Sequence, residues 1–348
     1  MKRDFIFSIA LVTSTLLLTG CQHVPTNPPD NPHAVTSAKY FGRIERLDPA
    51  LDALIAPDAK LEKLAENFDW SEGPVWVKDG NYLLFSDVPM NIIYKWEDGK
   101  GVSTFFTPSG YTGTIPRGGE PGSNGLTVDS QGRVTSCEHG DRRVGRLEKD
   151  GTKTTLADKY QGKRLNSPND LVYKSNGDLY FTDPPYGLVG NMKDPKKELP
   201  FQGVYRVKPD GDVTLLTDKV TRPNGLAFSP DEKILYVASS DPEKAVWMAF
   251  NVKDDGTLDE GRVFFDSTSM VKGRKGLPDG MKVDSQGNIF ATGPGGLFIF
   301  SKDGKHLGTI DTGQATANCA WGNDGSTLYI TADMYICRIK TKTHGKMP

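Results

Sequence analysis

Asn169-Asp-Leu-Val-Tyr-Lys-Ser-Asn-Gly177-Asp-Leu-Tyr-Phe-Thr182 sets a polar residue before an apolar run, then a turn, then a second run rich in aromatic and aliphatic residues. That order is a hairpin signal. The pattern recurs. Other copies open at Glu72-Gly-Pro-Val-Trp, Asn124-Gly-Leu-Thr-Val, Asn224-Gly-Leu-Ala-Phe, Asp279-Gly-Met-Lys-Val and Asn318-Cys-Ala-Trp. A turn glycine follows the polar anchor in most copies, at Gly80, Gly132, Gly177, Gly287 and Gly325; the fourth uses Pro230-Asp231-Glu232-Lys233. The copies lie ~40–55 residues apart, the repeat of a four-stranded propeller blade. The chain therefore reads as an all-β protein, a six-bladed β-propeller. The last repeat has room for three strands only, and residues 60–66 are expected to supply the fourth and close the ring. The apolar spacing between Tyr40 and Ala56, broken at Pro49, predicts a short N-terminal helical lead-in.

If each anchor opens an innermost strand, six anchors ring the axis at one face. The second strand of each blade runs antiparallel and ends on that same face. The longest insertions, Thr107 to Ser123 and Asp183 to Gln202, fall among these connections, which marks the face as functional. The ring holds two carboxylates, Glu72 and Asp279, among amides. Singly, such residues also cap turns. Together, converging like charges require a positive partner. Oxygen ligands without Cys or His favour a hard cation, calcium ahead of magnesium or manganese.

The 348 residues carry a net charge of −2 with no basic block, so nothing points to nucleic acid. Lys2 and Arg3, an apolar run from Phe5 to Leu18, and Leu18-Thr-Gly-Cys21 resemble a lipoprotein signal peptide over residues 1–20, with Cys21 as the lipidated residue. Gln22 after the cysteine suits an outer-membrane lipoprotein facing the periplasm, touching the membrane only through its anchor. Residues 21–39, with Pro25, Pro28, Pro29 and Pro32, read as a flexible tether, and 40–345 as the propeller. Cys137, Cys319 and Cys337 form no disulfide framework and no metal-type spacing; they are expected in the core.

Ser71-Glu-Gly-Pro-Val-Trp, Ser123-Asn-Gly-Leu, Ser136-Cys-Glu-His-Gly-Asp-Arg-Arg-Val, Ser167-Pro-Asn-Asp-Leu, Phe181-Thr-Asp-Pro-Pro-Tyr-Gly, Pro223-Asn-Gly-Leu and Pro278-Asp-Gly-Met complete the picture. In this order they resemble the gluconolactonase branch of the senescence marker protein, gluconolactonase and luciferin-regenerating enzyme superfamily. The resemblance implies a propeller holding one catalytic divalent metal, Ca2+ first, with Mg2+, Mn2+ or Zn2+ as alternatives. Its ligands would be Glu72, Asn169, Asn224 and Asp279. The implied reaction is hydrolysis of a sugar lactone such as glucono-1,5-lactone. Asp279 is the first choice of general base, Asp170 the second, and His139 a further candidate. Asn124, Asp183 and Tyr186 are expected to face the substrate. Aryl esters or phosphotriesters are alternative substrates, and a non-catalytic glycan- or protein-binding propeller with a structural metal is the rival reading. The sequence carries no sign of the oligomeric state.

Overall fold

A computed structural model describes residues 31–347. The expected signal peptide, Cys21 and the expected tether up to residue 30 lie outside the described residues. From Pro32 onward the chain is one unit.

Among the described residues the strands form six antiparallel sheets of four or more strands, each a blade, plus a small hairpin at Lys159–Tyr160 and Lys163–Arg164. The inner strands are Ser71–Val77, Ser123–Val128, Leu171–Tyr173, Pro223–Phe228, Met281–Val283 and Asn318–Gly322. Neighbouring inner strands touch, and the sixth returns to the first, so the ring is closed. In the sixth blade the outer strand is Leu61–Ala65, paired antiparallel to Tyr335–Lys340 with Ile336 opposite Ala65 and Arg338 opposite Glu62. A segment from before the first blade thus covers the edge that the last would otherwise expose.

The predicted helical lead-in is instead two short strands and a turn. Tyr40–Phe41 pairs with Leu61–Ala65, and Arg43–Arg46 adds a fifth strand to blade five beside His306–Asp311. Only Pro49–Ala53 is helical, as a 3-10 turn capped by Asp48 Oδ1, which accepts from Ala50 N at 2.8 Å. Gly42, at φ +68°, separates the two strands and stops a helix from running through. The apolar residues behind the expectation are buried: Leu51, Leu54 and Ile55 pack with Phe290, Ile310, Trp321 and Leu328 between blades five and six. Just before these strands, Glu66 accepts hydrogen bonds from Thr36, Ser37 and Lys63, fixing the entry of the chain. The three core cysteines are buried and free.

The glycines after the anchors set how closely the blades approach. A Cβ on Gly225 would lie 2.2 Å from Asp279 O, one on Gly73 2.0 Å from Asn124 O, and one on Gly280 1.9 Å from Asn318 Cγ. With Gly125, where a Cβ would lie 2.7 Å from Asn169 O, four of the six copies pack a post-anchor glycine against the anchor of the next blade. Gly225 shows no left-handed φ, so space alone excludes a side chain there. Overpacking of this kind costs ~1–3 kcal/mol, sometimes more. Gly225→Ala is therefore expected to lower the thermal midpoint by several degrees. A midpoint equal to that of the unsubstituted protein would show that the blades have room to part.

Candidate functional site

The anchors are delivered to the axis by local irregularities in the inner strands. Pairing shifts register between Glu72 and Val75, between Ser123 and Leu126, and between Pro223 and Leu226. A bulge at the mouth of a strand re-aims the side chain it carries. In the third and fifth blades the anchors stand just before the strand, held by Asn169 N donating to Thr182 O at 2.9 Å and Asp279 N to Thr292 O at 3.1 Å.

That the side chains meet on the axis is shown by Asn318. Its amide nitrogen lies 3.4 Å from Glu72 Oε2, in the adjacent blade, and 3.3 Å from Asp170 Oδ2, in the blade opposite. Above this floor opens a cavity of about 450 Å³ walled by Glu72, Asn124, Asn169, Asn224 and Asp279, with Tyr186, Glu120, Trp70, Arg222 and Arg274 around them. All four residues of the expected ligand set therefore share one wall.

Their free oxygens point inward. Asn169 Oδ1, Asn124 Oδ1 and Asp279 Oδ1 are buried without a hydrogen-bond partner among the described residues. Asn224 turns its nitrogen aside, donating to Ser240 Oγ at 2.8 Å, which leaves its oxygen unspent. Ser240 in turn donates to Pro278 O, tying this support to the strand entry of Asp279. Orphaned buried acceptors are costly. Among the described residues no three of His, Cys, Asp and Glu cluster as ligands, so a cation here would rely on amide oxygens as well as carboxylates. That donor set fits a hard divalent ion.

Electrostatics point the same way. Burial pushes both Glu72 and Asp279 above the usual carboxylate range, and neighbouring charge adds to it: Asp170 and Glu120 act on Glu72, while Glu72, Asp170 and Glu120 act on Asp279. Burial also raises Asp170, although Lys282 and hydrogen bonds from Leu171 N and Asn318 offset part of the rise. Glu72, Glu120 and Asp279 line one volume with Asp170 close by, and among the described residues their one ion-pair partner is His139, beside Glu120. A bound cation would relieve this repulsion.

The remaining expected residues divide. Tyr186 lines the cavity; burial, and to a lesser degree Asp279, pushes its phenol up, so it stays neutral. Its hydroxyl is buried and unpartnered among the described residues, as an acceptor or donor for a ligand would be. Asp183 is not in the wall. Its carboxylate accepts from Asn166 N at 2.7 Å and Ser167 N at 2.8 Å, so it fixes the turn that precedes Asn169. Asp170 lies below the cavity wall, its oxygens engaged by Leu171 N and Asn318. His139 is fully buried behind Glu120, with Nδ1 3.3 Å from Glu120 Oε2. Burial raises the Cys137 thiol well above its usual value, which leaves it inert.

Sequence reasoning missed Glu120, Trp70, Arg222 and Arg274. Glu120 and Arg274 sit in irregular loops without periodicity. Trp70 and Arg222 each stand two residues before an anchor, Glu72 and Asn224, and that shared offset was the available signal.

A family description, SMP-30/Gluconolactonase/LRE-like region, matches residues 70–333. A gluconolactonase of Zymomonas mobilis is 42% identical over 345 residues, covering 97% of this chain and 95% of that protein. Among solved structures, a gluconolactonase of Xanthomonas campestris aligns with a TM-score of 0.75 at 32% identity, covering 89% of this chain and 99% of that one. Regucalcin of Agrobacterium tumefaciens aligns at a TM-score of 0.65 with 19% identity, over 82% of this chain and 95% of that one, a likeness of fold. The anchor ring, the six blades and these matches together make the chain a member of the SMP-30/gluconolactonase/LRE-like family.

Proposed function

We propose that this protein hydrolyses a sugar lactone with the help of one divalent cation on the propeller axis. The observation that carries this reading is the set of unpartnered oxygens, Asn124 Oδ1, Asn169 Oδ1 and Asp279 Oδ1, at the base of a cavity crowded with carboxylates. The relatives named gluconolactonase support the substrate class. A cavity of about 450 Å³ is in the range that encloses a single small ligand, such as a five- or six-membered lactone ring.

Glu72, Asn169, Asn224 and Asp279 would hold the ion, with calcium the first choice. Bound there, it supplies Lewis-acid polarisation of the lactone carbonyl and steadies the negative charge that develops on its oxygen. The chain's own residues do the rest. Tyr186 and Asn124 present unpartnered polar atoms for the ring hydroxyls, and Trp70 offers an apolar wall. Arg222 lines the same cavity and would face the carboxylate of the opened acid. A carboxylate takes a proton from the attacking water. Asp279, the first choice from sequence, would have to do this while ligating the cation, and a metal-bound carboxylate is a weak base.

Chelation is expected to abolish lactone hydrolysis, and calcium or manganese to restore it, read by acid release from glucono-1,5-lactone above the spontaneous rate. Full activity in the chelated protein would reject the metal, and no turnover with metal bound would favour a binding platform. Asp279→Asn should weaken cation affinity at least as much as the ~10–100-fold lost with an outer-sphere partner. Metal titration of the variant would show this, and an unchanged affinity would remove Asp279 from the ligand set.

We also propose that Cys21 is the lipidated first residue of an outer-membrane lipoprotein facing the periplasm. The support is the order of the basic start, the apolar run and Leu18-Thr-Gly-Cys21. Cys21→Ser should lose fatty-acid labelling and move to the soluble periplasmic fraction; unchanged membrane association would contradict the assignment.

A further inference from the structure

Resting on the lactonase reading, we propose that Glu120 is the general base of the hydrolysis and that His139 is its positioning residue, in place of Asp279 or Asp170. The case starts from how the four carboxylates around the axis are engaged. Asp170 is absent from the cavity wall, with one oxygen accepting from Leu171 N at 2.8 Å and the other near Asn318 Nδ2. Glu72 lines the cavity but receives Gly73 N at 2.7 Å and the Asn318 amide, and it belongs to the cation's ligand set. Asp279 carries a ligand oxygen. Glu120 lines the cavity, lies outside the expected ligand set and accepts no hydrogen bond from any described amide, and its side chain keeps 37% of its surface exposed, open to water.

Among the described residues its one ion-pair contact is the His139 ring, with Nδ1 3.3 Å from Oε2. His139 is fully buried, and neither ring nitrogen has a hydrogen-bond partner among the described residues. A buried imidazole so placed, with its proton on Nδ1, has the carboxylate as its available acceptor and holds it toward the cavity. The loop bearing Glu120 is itself fastened. Arg117 donates to Gly187 O and, at 3.3 Å, to Gly140 O, while Tyr111 OH donates to Ile115 O at 2.8 Å. On the far side of Glu120, Gly122 N donates to Val88 O at 2.9 Å and Gly140 N to Pro121 O at 3.0 Å. The long insertion therefore presents one carboxylate at a fixed place on the rim. The charged and titratable groups facing it are Glu72 from blade one, His139 from blade two, Tyr186 from the connection after blade three's second strand, Arg222 at the entry of blade four, and Arg274 and Asp279 at the entry of blade five.

In the step assigned to it, Glu120 accepts one proton from water as the water oxygen bonds to the lactone carbonyl carbon, and the carbonyl π pair moves onto its oxygen. When that pair returns, the bond from the same carbon to the ring oxygen breaks, and the ring oxygen takes the proton back from Glu120. Lactone and water give one hydroxy acid, and Glu120 ends as it began.

The test is made on the metal-loaded full chain. Glu120→Gln should lower kcat by ~100-fold or more, the usual contribution of a general base, with KM unchanged and cation affinity altered far less than in Asp279→Asn. In Glu120→Ala, added formate should restore part of the lost rate by replacing the missing carboxylate. His139→Asn should lower kcat less, and should cost nothing further when combined with Glu120→Gln, because the two act as a unit. A Glu120→Gln rate within threefold of the unsubstituted enzyme would overturn the proposal. So would a loss of cation affinity as large as in Asp279→Asn, which would make Glu120 a ligand, or a rise in KM alone, which would make it a substrate contact. Additive effects of the two substitutions would overturn the role of His139. Absence of turnover in the unsubstituted protein would overturn the lactonase reading and this one together, whereas an active parent with an active Glu120→Gln overturns this one alone.

Discussion

At the propeller axis the backbone of each blade lies so close to the next that a methyl group cannot stand between Gly225 and Asp279 O, or between Gly73 and Asn124 O. The rest of the molecule depends on that approach. It brings six inner strands into one closed ring, and it forces the polar residues at their mouths into a single small volume. Looser blades would leave six separate turn caps. Packed this closely, Asn318 of the last blade reaches both Glu72 beside it and Asp170 across the axis.

The same constraint produces an electrostatic problem whose solution is the function proposed. Desolvated carboxylates repel, and amide oxygens without donors lose what water would have given them. The fold supplies local relief where structure alone is at stake: Asp183 is satisfied by the Asn166 and Ser167 amides, and Asp170 by Leu171 N and Asn318. Around the axis it supplies none, among the described residues, for the Oδ1 atoms of Asn124, Asn169 and Asp279. A cation fits where these oxygens meet. The contrast between Asp183 and Asp279, both buried acids at strand mouths, separates a carboxylate that builds a turn from one left free for a ligand.

Much of this was legible in the sequence because repetition reports geometry. Six polar anchors in one register implied six inner strands and a shared axis, and residues 60–66 were recognisable as the missing outer strand because the last repeat was one strand short. The helical reading of residues 40–56 held only for the short 3-10 turn at Pro49–Ala53, because apolar spacing over so short a span does not separate a helix from strands joined to such a turn, and Gly42 with edge pairing to blade five decided the rest. Asp183 misled for a related reason: a motif places a carboxylate on the correct face but does not say whether backbone amides will occupy it. Glu120 and Arg274 carried no periodic signal. Glu120 lies on an insertion fastened by Arg117 to Gly140 O and Gly187 O and by Gly122 N to Val88 O, contacts distant in sequence that no local pattern announces.

The central claim is that the anchor ring is a cation site. Crystals grown with Mn2+ and measured at wavelengths where manganese scatters anomalously would test it most directly. The account predicts one peak on the axis, contacted by oxygens of Glu72, Asn169, Asn224 and Asp279. An axis without a peak, or an ion touching only water and leaving Asn169 and Asp279 uncoordinated, would contradict it.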